Sequence, residues 1–279
     1  MTIHQLINLG IKKLNKTSPS AALDSEVLLS YVLKKPKEYL VVHMGNYVSP
    51  KQEKRFLTFI NRRLLGWPVA YLTKSKEFYK LNLYVDKHVL IPRPETEGLV
   101  ELVLNYLKVR SDQIGKINIL DIGTGSGNII ISLAKKLGTK HNYFASDISP
   151  KAIAVAKKNA KRQKVKIKFV DGNLLEPWGK QHFDLIVANL PYLAKLVDPS
   201  TKFEPRGALV AAKKGLKLYE ELFKQIYNLQ PKSYNLFLEI GHDQAPAIKK
   251  LAKKFWPVSK TKIYKDLFGR QRYAVITLL

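Results

Sequence analysis

After residue 116 the chain alternates short, uninterrupted apolar runs with amphipathic stretches, and few architectures tolerate that order. "INILDI", "NYFASDI", "FDLIVAN" and "YNLFLEI" place apolar residues on consecutive positions, so strands built from them need cover on both faces. Between and after them, "SGNIIISLAKKL", "SPKAIAVAKKNAKRQ", "GLKLYEELFKQIYNL" and "DQAPAIKKLAKKF" repeat apolar residues every three or four positions, as helices with one buried stripe do. A further strand is expected at "VKIKFVDG". This succession is a series of βαβ units around a mainly parallel sheet. The chain closes with "VSKTKIYKD" and "RQRYAVITLL", joined through "LFGR". Two adjacent strands with so short a connection predict an antiparallel hairpin at one sheet edge.

Residues 1–75 follow a different rule. "SPSAALDSEVLLSYVL" spaces apolar residues helically, and "VSPKQEKRFLTFINRRLL" opens on Ser49, with Pro50 at the first helical position and Gln52 placed for a capping box. Gly66 and Pro68 stop that helix. A small all-helical domain is expected over 1–75. In "EFYKLNLYVDKHVLIP" the alternation of Leu81, Leu83 and Val85 resumes at Val89 and Ile91 across "DK", which predicts a β-hairpin connector over 76–94. A helix from Glu95 to about Arg110 then opens an α/β domain spanning 95–279.

The first strand of that domain runs into Asp121-Ile122-Gly123-Thr124-Gly125-Ser126-Gly127. Glycines there allow a tight strand-to-helix turn and a close approach of ligand to backbone. Twenty residues beyond Gly127, at the end of the second strand, stands Asp147, followed by Ile148. A carboxylate in that place suits both ribose hydroxyls of a nucleoside. The spacing is neither the dinucleotide G-x-G-x-x-G nor a phosphate loop with its lysine. It resembles the pattern of class I S-adenosylmethionine-dependent methyltransferases; a purely structural turn is the alternative.

The fourth strand ends in Asn189-Leu190-Pro191-Tyr192, at the carboxyl end where open α/β sheets bind ligands. An amide or exocyclic amino nitrogen is a poor nucleophile because its lone pair is delocalised. Two acceptors on its two N–H bonds would fix it for in-line attack on a sulfonium methyl. Asn189 Oδ1 and the Leu190 carbonyl, held by Pro191, are suited to that task, with Tyr192 packed against the flat substrate group. Rate then comes from orientation and electrostatics without a strong base. Read alone, an Asn-Pro turn after a buried strand is the simpler account.

Nearly the whole chain resembles the release factor glutamine methyltransferases (PrmC/HemK type), in "EFYKLNLYVDKHVLIPRPETE", "DIGTGSG", "SDISPKAIAVAKKNA", "NLPY", "FEPRGALVAAKKGL", "LEIGHDQ" and "GRQR". The resemblance implies a class I methyltransferase (Rossmann-like) α/β fold, preceded by an all-helical substrate-recognition domain. It implies methyl transfer from S-adenosyl-L-methionine to the glutamine amide of the Gly-Gly-Gln loop in peptide chain release factors. Cofactor contacts are expected from Gly123, Thr124, Gly125, Ser126, Gly127, Asp147, Ile148, Asn173, Leu174 and Asn189. Substrate contacts are expected from Asn189, Leu190, Pro191, Tyr192 and Arg93, with no metal. Three residues depart from the family's pattern: Leu190 stands where Pro is usual, and Asn173-Leu174 where an Asp and an aromatic are common. The same tetrapeptide also serves adenine-amino and guanine-amino nucleic-acid methyltransferases and the ribosomal-protein glutamine enzymes. The segment "LIPRPETE" most separates the release factor enzymes from their ribosomal-protein relatives. A nucleotide-sensing RNA-binding module without turnover is a further alternative, which the intact tetrapeptide disfavours.

Charge bears on partners. Lys and Arg number 48 against 22 Asp and Glu, for a net +26, a balance that attracts polyanions such as ribosomal RNA. Only 9 of the 48 are Arg, the side chain that reads bases and phosphates bidentately, so nonspecific attraction or mere solubility is expected. With no cysteine, disulfides and a Cys nucleophile are excluded. No secretory leader and no apolar run of membrane-spanning length stand in the sequence. A cytoplasmic monomer is the expectation.

Overall fold

The computed structural model describes residues 1–110, 115–195, 199–229 and 234–278, which divide into two compact units, Met1–Ser75 and Lys76–Leu279. The first holds α1 (Ile3–Leu14), α2 (Ala21–Leu33), α3 (Lys37–Val42), α4 (Pro50–Leu64) and α5 (Val69–Thr73). Its core gathers Leu6, Leu14, Leu28, Leu29, Phe56 and Ile60, all fully buried. The complete capping box lies at α1, where Thr2 and Gln5 satisfy each other's backbone amides. At α4 only half of the expected box forms: Ser49 Oγ accepts from Gln52 N, but the Gln52 carbonyl takes the Ser49 hydroxyl proton at 2.8 Å instead of the cap amide. Asp24 on α2, itself buried, accepts from Arg63 Nε at 2.7 Å and from Ser18 Oγ at 2.7 Å, so its charge is both paired and hydrogen-bonded.

The second unit opens with a hairpin of β1 (Lys76–Phe78) and β2 (Leu81–Leu83). This hairpin is shorter and earlier than the alternation predicts. It turns at Tyr79 and Lys80, both in the left-handed region where glycine or asparagine is the usual signal. The Tyr79 amide is taken up by Glu97. Beyond β2 pairing ceases: Asp86 Oδ1 accepts from the His88 amide, a local turn that competes with strand pairing.

The helix α6 (Glu95–Val109) leads into β3 (Asn118–Ile122), α7 (Asn128–Leu137), β4 (Asn142–Asp147), α8 (Pro150–Gln163), β5 (Lys168–Asp171) and β6 (Leu185–Ala188). Then follow α9 (Lys217–Asn228), β7 (Tyr234–Glu239), α10 (Ala245–Phe255), β8 (Lys260–Lys265) and β9 (Gln271–Leu278). The sheet order is β5-β4-β3-β6-β7-β9-β8, with β9 antiparallel to both its neighbours. The edge hairpin thus forms as expected; Leu279, the last residue of the predicted strand, lies outside the described residues. Uninterrupted apolar strands are explained by two cores. Ile119, Leu185, Val187 and Phe237 face α6 and α7, whereas Leu120, Ile186, Leu236 and Leu238 face α9 and α10.

Two buried amides tie connecting segments to this frame. Asn159 on α8 accepts from Tyr84 N at 2.7 Å and donates to Tyr84 O and Ser126 O, each at 2.9 Å. Gln244, just before α10, donates to Tyr192 O and Lys214 O, each at 3.0 Å, while its carbonyl accepts from Gly241 N.

Candidate active site

A crevice with a cavity volume of about 230 Å³ lies beyond the carboxyl ends of β3, β4, β5 and β6. There the strand order reverses, so the connections on either side of β3 and β6 part and leave a slot. Ile122, Asp147, Gly172 and Asn189, each at or just beyond a strand end, line it together with segments 88–90 and 205–208.

On the glycine side, backbone does most of the shaping. Gly123 and Gly125 face the crevice, but Thr124, Ser126 and Gly127 do not line it. Thr124 Oγ1 donates to Asp121 Oδ2 at 2.7 Å, and Ser126 Oγ lies 3.3 Å from Asn128 Oδ1, both hydroxyls being buried. Gly127 has φ +81°, and a Cβ there would stand 2.7 Å from Ile131 and 3.3 Å from Ala156. That glycine serves the packing of α7 against α8. Burial pushes the Asp121 carboxyl up to about 7, against the Thr124 hydroxyl and the nearby Ile130 amide. The amide does not meet hydrogen-bond geometry with Oδ1, which has no hydrogen-bond partner among the described residues.

Asp147 ends β4 with Oδ2 accepting from Gly125 N and Oδ1 from Ser149 N, each at 2.9 Å. Burial raises its carboxyl above the ordinary range, and the two amides oppose that rise. Each oxygen retains a lone pair for a ligand hydroxyl. Ile148 beside it is 73% exposed, an apolar surface on the crevice wall. Across from it stand Leu174, held in the left-handed region while its carbonyl accepts from Ser146 Oγ, and Asn173. Asn173 Nδ2 donates to Glu221 at 2.7 Å and to Glu176 at 3.1 Å, so both amide protons are used and Oδ1 remains an acceptor. These residues fit S-adenosylmethionine: a carboxylate for the ribose, apolar faces for the adenine, and an oxygen for its amino group.

The opposite wall is made of side chains. Asn189 Nδ2 donates to Thr96 Oγ1 at 3.1 Å. Thr96 belongs to the first turn of α6 and is 1% exposed; the Glu239 carboxyl at the end of β7 is also buried, and its Oε2 has no hydrogen-bond partner among the described residues. Glu239 is pushed up to about 7 by burial, opposed by Thr96, Arg272 and Tyr192. Leu190 buries its side chain against Gly123, whose added Cβ would stand 3.0 Å from Leu190 Cδ2. The Leu190 carbonyl lies 3.5 Å from Tyr219 Oη, a hydroxyl that donates over a shorter distance to Glu239 O. Pro191 lines the crevice, but Tyr192 does not. Its hydroxyl donates to Glu239 Oε1 at 3.3 Å and accepts from Arg272 Nη1 at 3.4 Å. Burial raises the Tyr192 phenol, with the Glu239 charge adding to it. Gly215 (φ +83°) makes room for this turn, because a Cβ there would fall 1.9 Å from Tyr192 O.

Arg93 stands away from the crevice. Its Nη2 donates to Glu204 Oε1 at 2.6 Å, and Glu204 Oε2 accepts from Ile91 N. The pair fastens the segment before α6 to residues 201–208. Thr96, Glu239 and Gln244 were not assigned roles from sequence, although the blocks "LIPRPETE" and "LEIGHDQ" contain them. Buried threonines and glutamates carry no periodic signal that marks them as site residues. Among the described residues no helix is long and apolar enough to cross a membrane.

The strand order and this crevice define a class I methyltransferase. Residues 115–262 match the model of a methyltransferase domain, and residues 5–73 that of the PrmC N-terminal domain. The release factor glutamine methyltransferase of Bacillus cereus is 35% identical over 254 residues, covering 88% of this chain and 89% of its own. That of Enterococcus faecalis is 35% identical over 244 residues, covering 86% of each. The chain belongs to the release factor glutamine methyltransferase family. It also matches the bifunctional methyltransferase of Rickettsia typhi at 34% identity over 298 residues, spanning 57% of that protein's length. The N-terminal domain of human METTL16, solved with SAH, shares the fold at a TM-score of 0.52 and 18% identity, covering 95% of this chain and 96% of its own.

Proposed function

We propose that this methyltransferase transfers the methyl group of S-adenosyl-L-methionine to the side-chain amide nitrogen of the Gly-Gly-Gln glutamine in peptide chain release factors. The observation that carries this reading is the fixed Asn189 amide. Its nitrogen is committed to Thr96, so its oxygen is the atom left for an incoming N–H. The cofactor supplies an electrophilic sulfonium methyl. Asn189 Oδ1 and the Leu190 carbonyl accept the two N–H bonds of the substrate amide and hold its nitrogen in line; the nitrogen gives up one proton to solvent as the new C–N bond forms. Orientation of this kind accounts for several orders of magnitude without a strong base.

In this reading Asp147 holds the ribose hydroxyls, and Ile148, Leu174 and Asn173 hold the adenine. Gly123 and Gly125 let the methionine portion approach the backbone. Thr124, Ser126 and Gly127 shape the loop without touching ligand, and Arg93 anchors a segment to Glu204. Residues 1–75 serve as the substrate-recognition domain, 76–94 as connector and 95–279 as the catalytic domain of a cytoplasmic monomer. The test is transfer of label from S-adenosylmethionine to release factor, compared with the same factor carrying Gln→Ala in its loop. Label on both, or on an adenine-containing oligonucleotide alone, overturns the assignment. If the +26 charge also draws the enzyme toward ribosomal RNA, binding to that RNA falls steeply with salt while cofactor affinity does not.

A further inference from the structure

A glutamine loop that reaches Asn189 brings the rest of its protein against the rim of the crevice. The crevice has a cavity volume of only about 230 Å³, and on the reading above the cofactor fills part of it. A specific protein complex buries about 800 Å² on each partner. Most of that area has to come from surface around the crevice.

The turn between β8 and β9 lies on that rim. Ala188 pairs with Leu238, Glu239 with Tyr273, and Tyr273 with Tyr264. Asn189, one residue past Ala188, therefore begins a row that crosses β7 and β9 to β8, three strand spacings or about 14 Å away. Residues 266–270 project from the same end of the sheet. There Leu267 is 103% exposed and Phe268 78% exposed. Val109, Tyr227 and Val258 are exposed too, but they lie toward the amino ends of the parallel strands.

The turn itself needs neither apolar side chain. Gly269 N donates to Asp266 O at 3.0 Å and Asp266 N to Arg270 O at 2.8 Å, with Gly269 at φ +78°. Asp266 Oδ1 accepts from Phe268 N and Arg270 N, each at 3.0 Å, and Oδ2 accepts from Arg272 Nε at 3.2 Å. Polar residues ordinarily fill the central positions of such a turn. Two large apolar ones, held in water by a fixed backbone, mark a contact surface, and fixing them in advance lowers the ordering cost of binding. Arg272, which holds Asp266, also stands 3.4 Å from Tyr192 Oη, so the tip shares its support with the tetrapeptide. Lys265 and Arg270 flank the tip, both exposed.

We infer that the 266–270 turn is a docking point for the methyl-acceptor protein. Leu267 and Phe268 enter an apolar recess beside the glutamine loop of that protein, and Lys265 and Arg270 meet carboxylates on the rim of the recess. The inference rests on the release factor reading above and gives that substrate a second contact outside the crevice. The tip touches neither cofactor nor reacting atoms, so it acts on capture of the protein and not on the chemical step.

The test uses the whole chain with release factor as methyl acceptor. Leu267→Ser combined with Phe268→Ser leaves Asp266 and Gly269 to form the turn. KM for release factor is expected to rise about tenfold or more, as when apolar anchors are lost, with kcat and S-adenosylmethionine affinity within about twofold. Lys265→Glu combined with Arg270→Glu is expected to raise KM as well, and by less at high salt. Phe268→benzoylphenylalanine supplies an arm independent of turnover, and is expected to cross-link to release factor on illumination. Wild-type KM in the serine pair, or no cross-link to a release factor that the wild-type enzyme methylates, overturns the inference and leaves the function standing. A KM unmoved by the charge reversals overturns the carboxylate rim. Binding of wild type to anionic phospholipid vesicles, abolished in the serine pair while KM for release factor is unchanged, replaces the protein partner with a membrane surface. Release factor left unlabelled by the wild-type enzyme overturns the function and the inference together.

Discussion

The two walls of the crevice are built on different principles. In the proposed reaction the glycine wall meets its ligand with backbone and one carboxylate, and that carboxylate is itself held by the amides of Gly125 and Ser149. In the proposed reaction the opposite wall meets its ligand with Asn189, whose amide nitrogen donates to Thr96 on α6. A wall made of main chain keeps its geometry under most substitutions, so long as the turn can form. A wall made of side chains depends on a buried second layer, and a single polar atom lost there leaves others unsatisfied in a medium that cannot replace them. On the proposed reading, binding is distributed over many small contacts, whereas alignment for chemistry is concentrated in a few.

Replacing one residue on each wall breaks this contrast most directly. Asn189→Ala should lower kcat by two or more orders of magnitude, since the lost acceptor matters mainly for alignment. The fold should persist and cofactor affinity should stay within a few-fold; single-turnover methylation beside calorimetry separates the two. Wild-type kcat in that variant would exclude the clamp. Asp147→Ala should act in the opposite sense, weakening S-adenosylmethionine by roughly 1.5–3 kcal/mol, the scale of a hydrogen bond to a charged group, with a smaller change in kcat at saturation. An unchanged dissociation constant removes Asp147 from the ribose site.

Much of this contrast is visible in the chain as written, and the part that is not has a common cause. The glycine turn, Asp147 and the end of β6 sit at strand termini fixed by hydrophobic period, so spacing alone brings them together. The edge hairpin follows from two strands with a short connection. The hairpin at 76–83 turns instead through Tyr79 and Lys80, residues whose left-handed conformation no sequence rule announces and which tertiary contact with Glu97 sustains. Thr96 and Asn189 meet across 93 positions, and nothing local in "PETE" distinguishes a hydroxyl buried behind the tetrapeptide from an ordinary helix start. The Arg93–Glu204 pair likewise spans 111 positions, so no local pattern announces it.

Finer tests come from the two departures from the family's usual residues, which should behave differently when restored. Asn173→Asp would place a carboxylate where Glu221 and Glu176 already direct their oxygens, at 2.7 and 3.1 Å from the present amide nitrogen. Like charges so close disfavour ionisation, and cofactor affinity should fall by roughly three- to tenfold; calorimetry finding tighter binding would show that Glu221 moves away. Leu190→Pro should be the mildest change. The clamp uses only the carbonyl of that residue, so kcat should stay within about threefold, with a stability loss on the order of 1–2 kcal/mol from the buried leucine contacts. A folded but inactive Leu190→Pro protein would mean that the clamp carbonyl needs the leucine's packing against Gly123.

Asn159 has a bearing on how the cofactor comes and goes. Its one side chain, itself fully buried, stitches Tyr84 to Ser126 with three hydrogen bonds, and Gly127 beside it is wedged against Ile131 and Ala156. The glycine turn therefore has no cheap way to swing open. Exchange is expected on the other side, where residues 88–90 and 205–208 border the same slot and are joined to each other by Ile91 and Arg93 on Glu204. Residence time of the cofactor, and of the spent product, then becomes a property of that clasp. Loosening it with Glu204→Gln should speed dissociation in stopped-flow displacement, whereas amides 123–127 should remain among the slowest to exchange in deuterated solvent with the slot empty or filled.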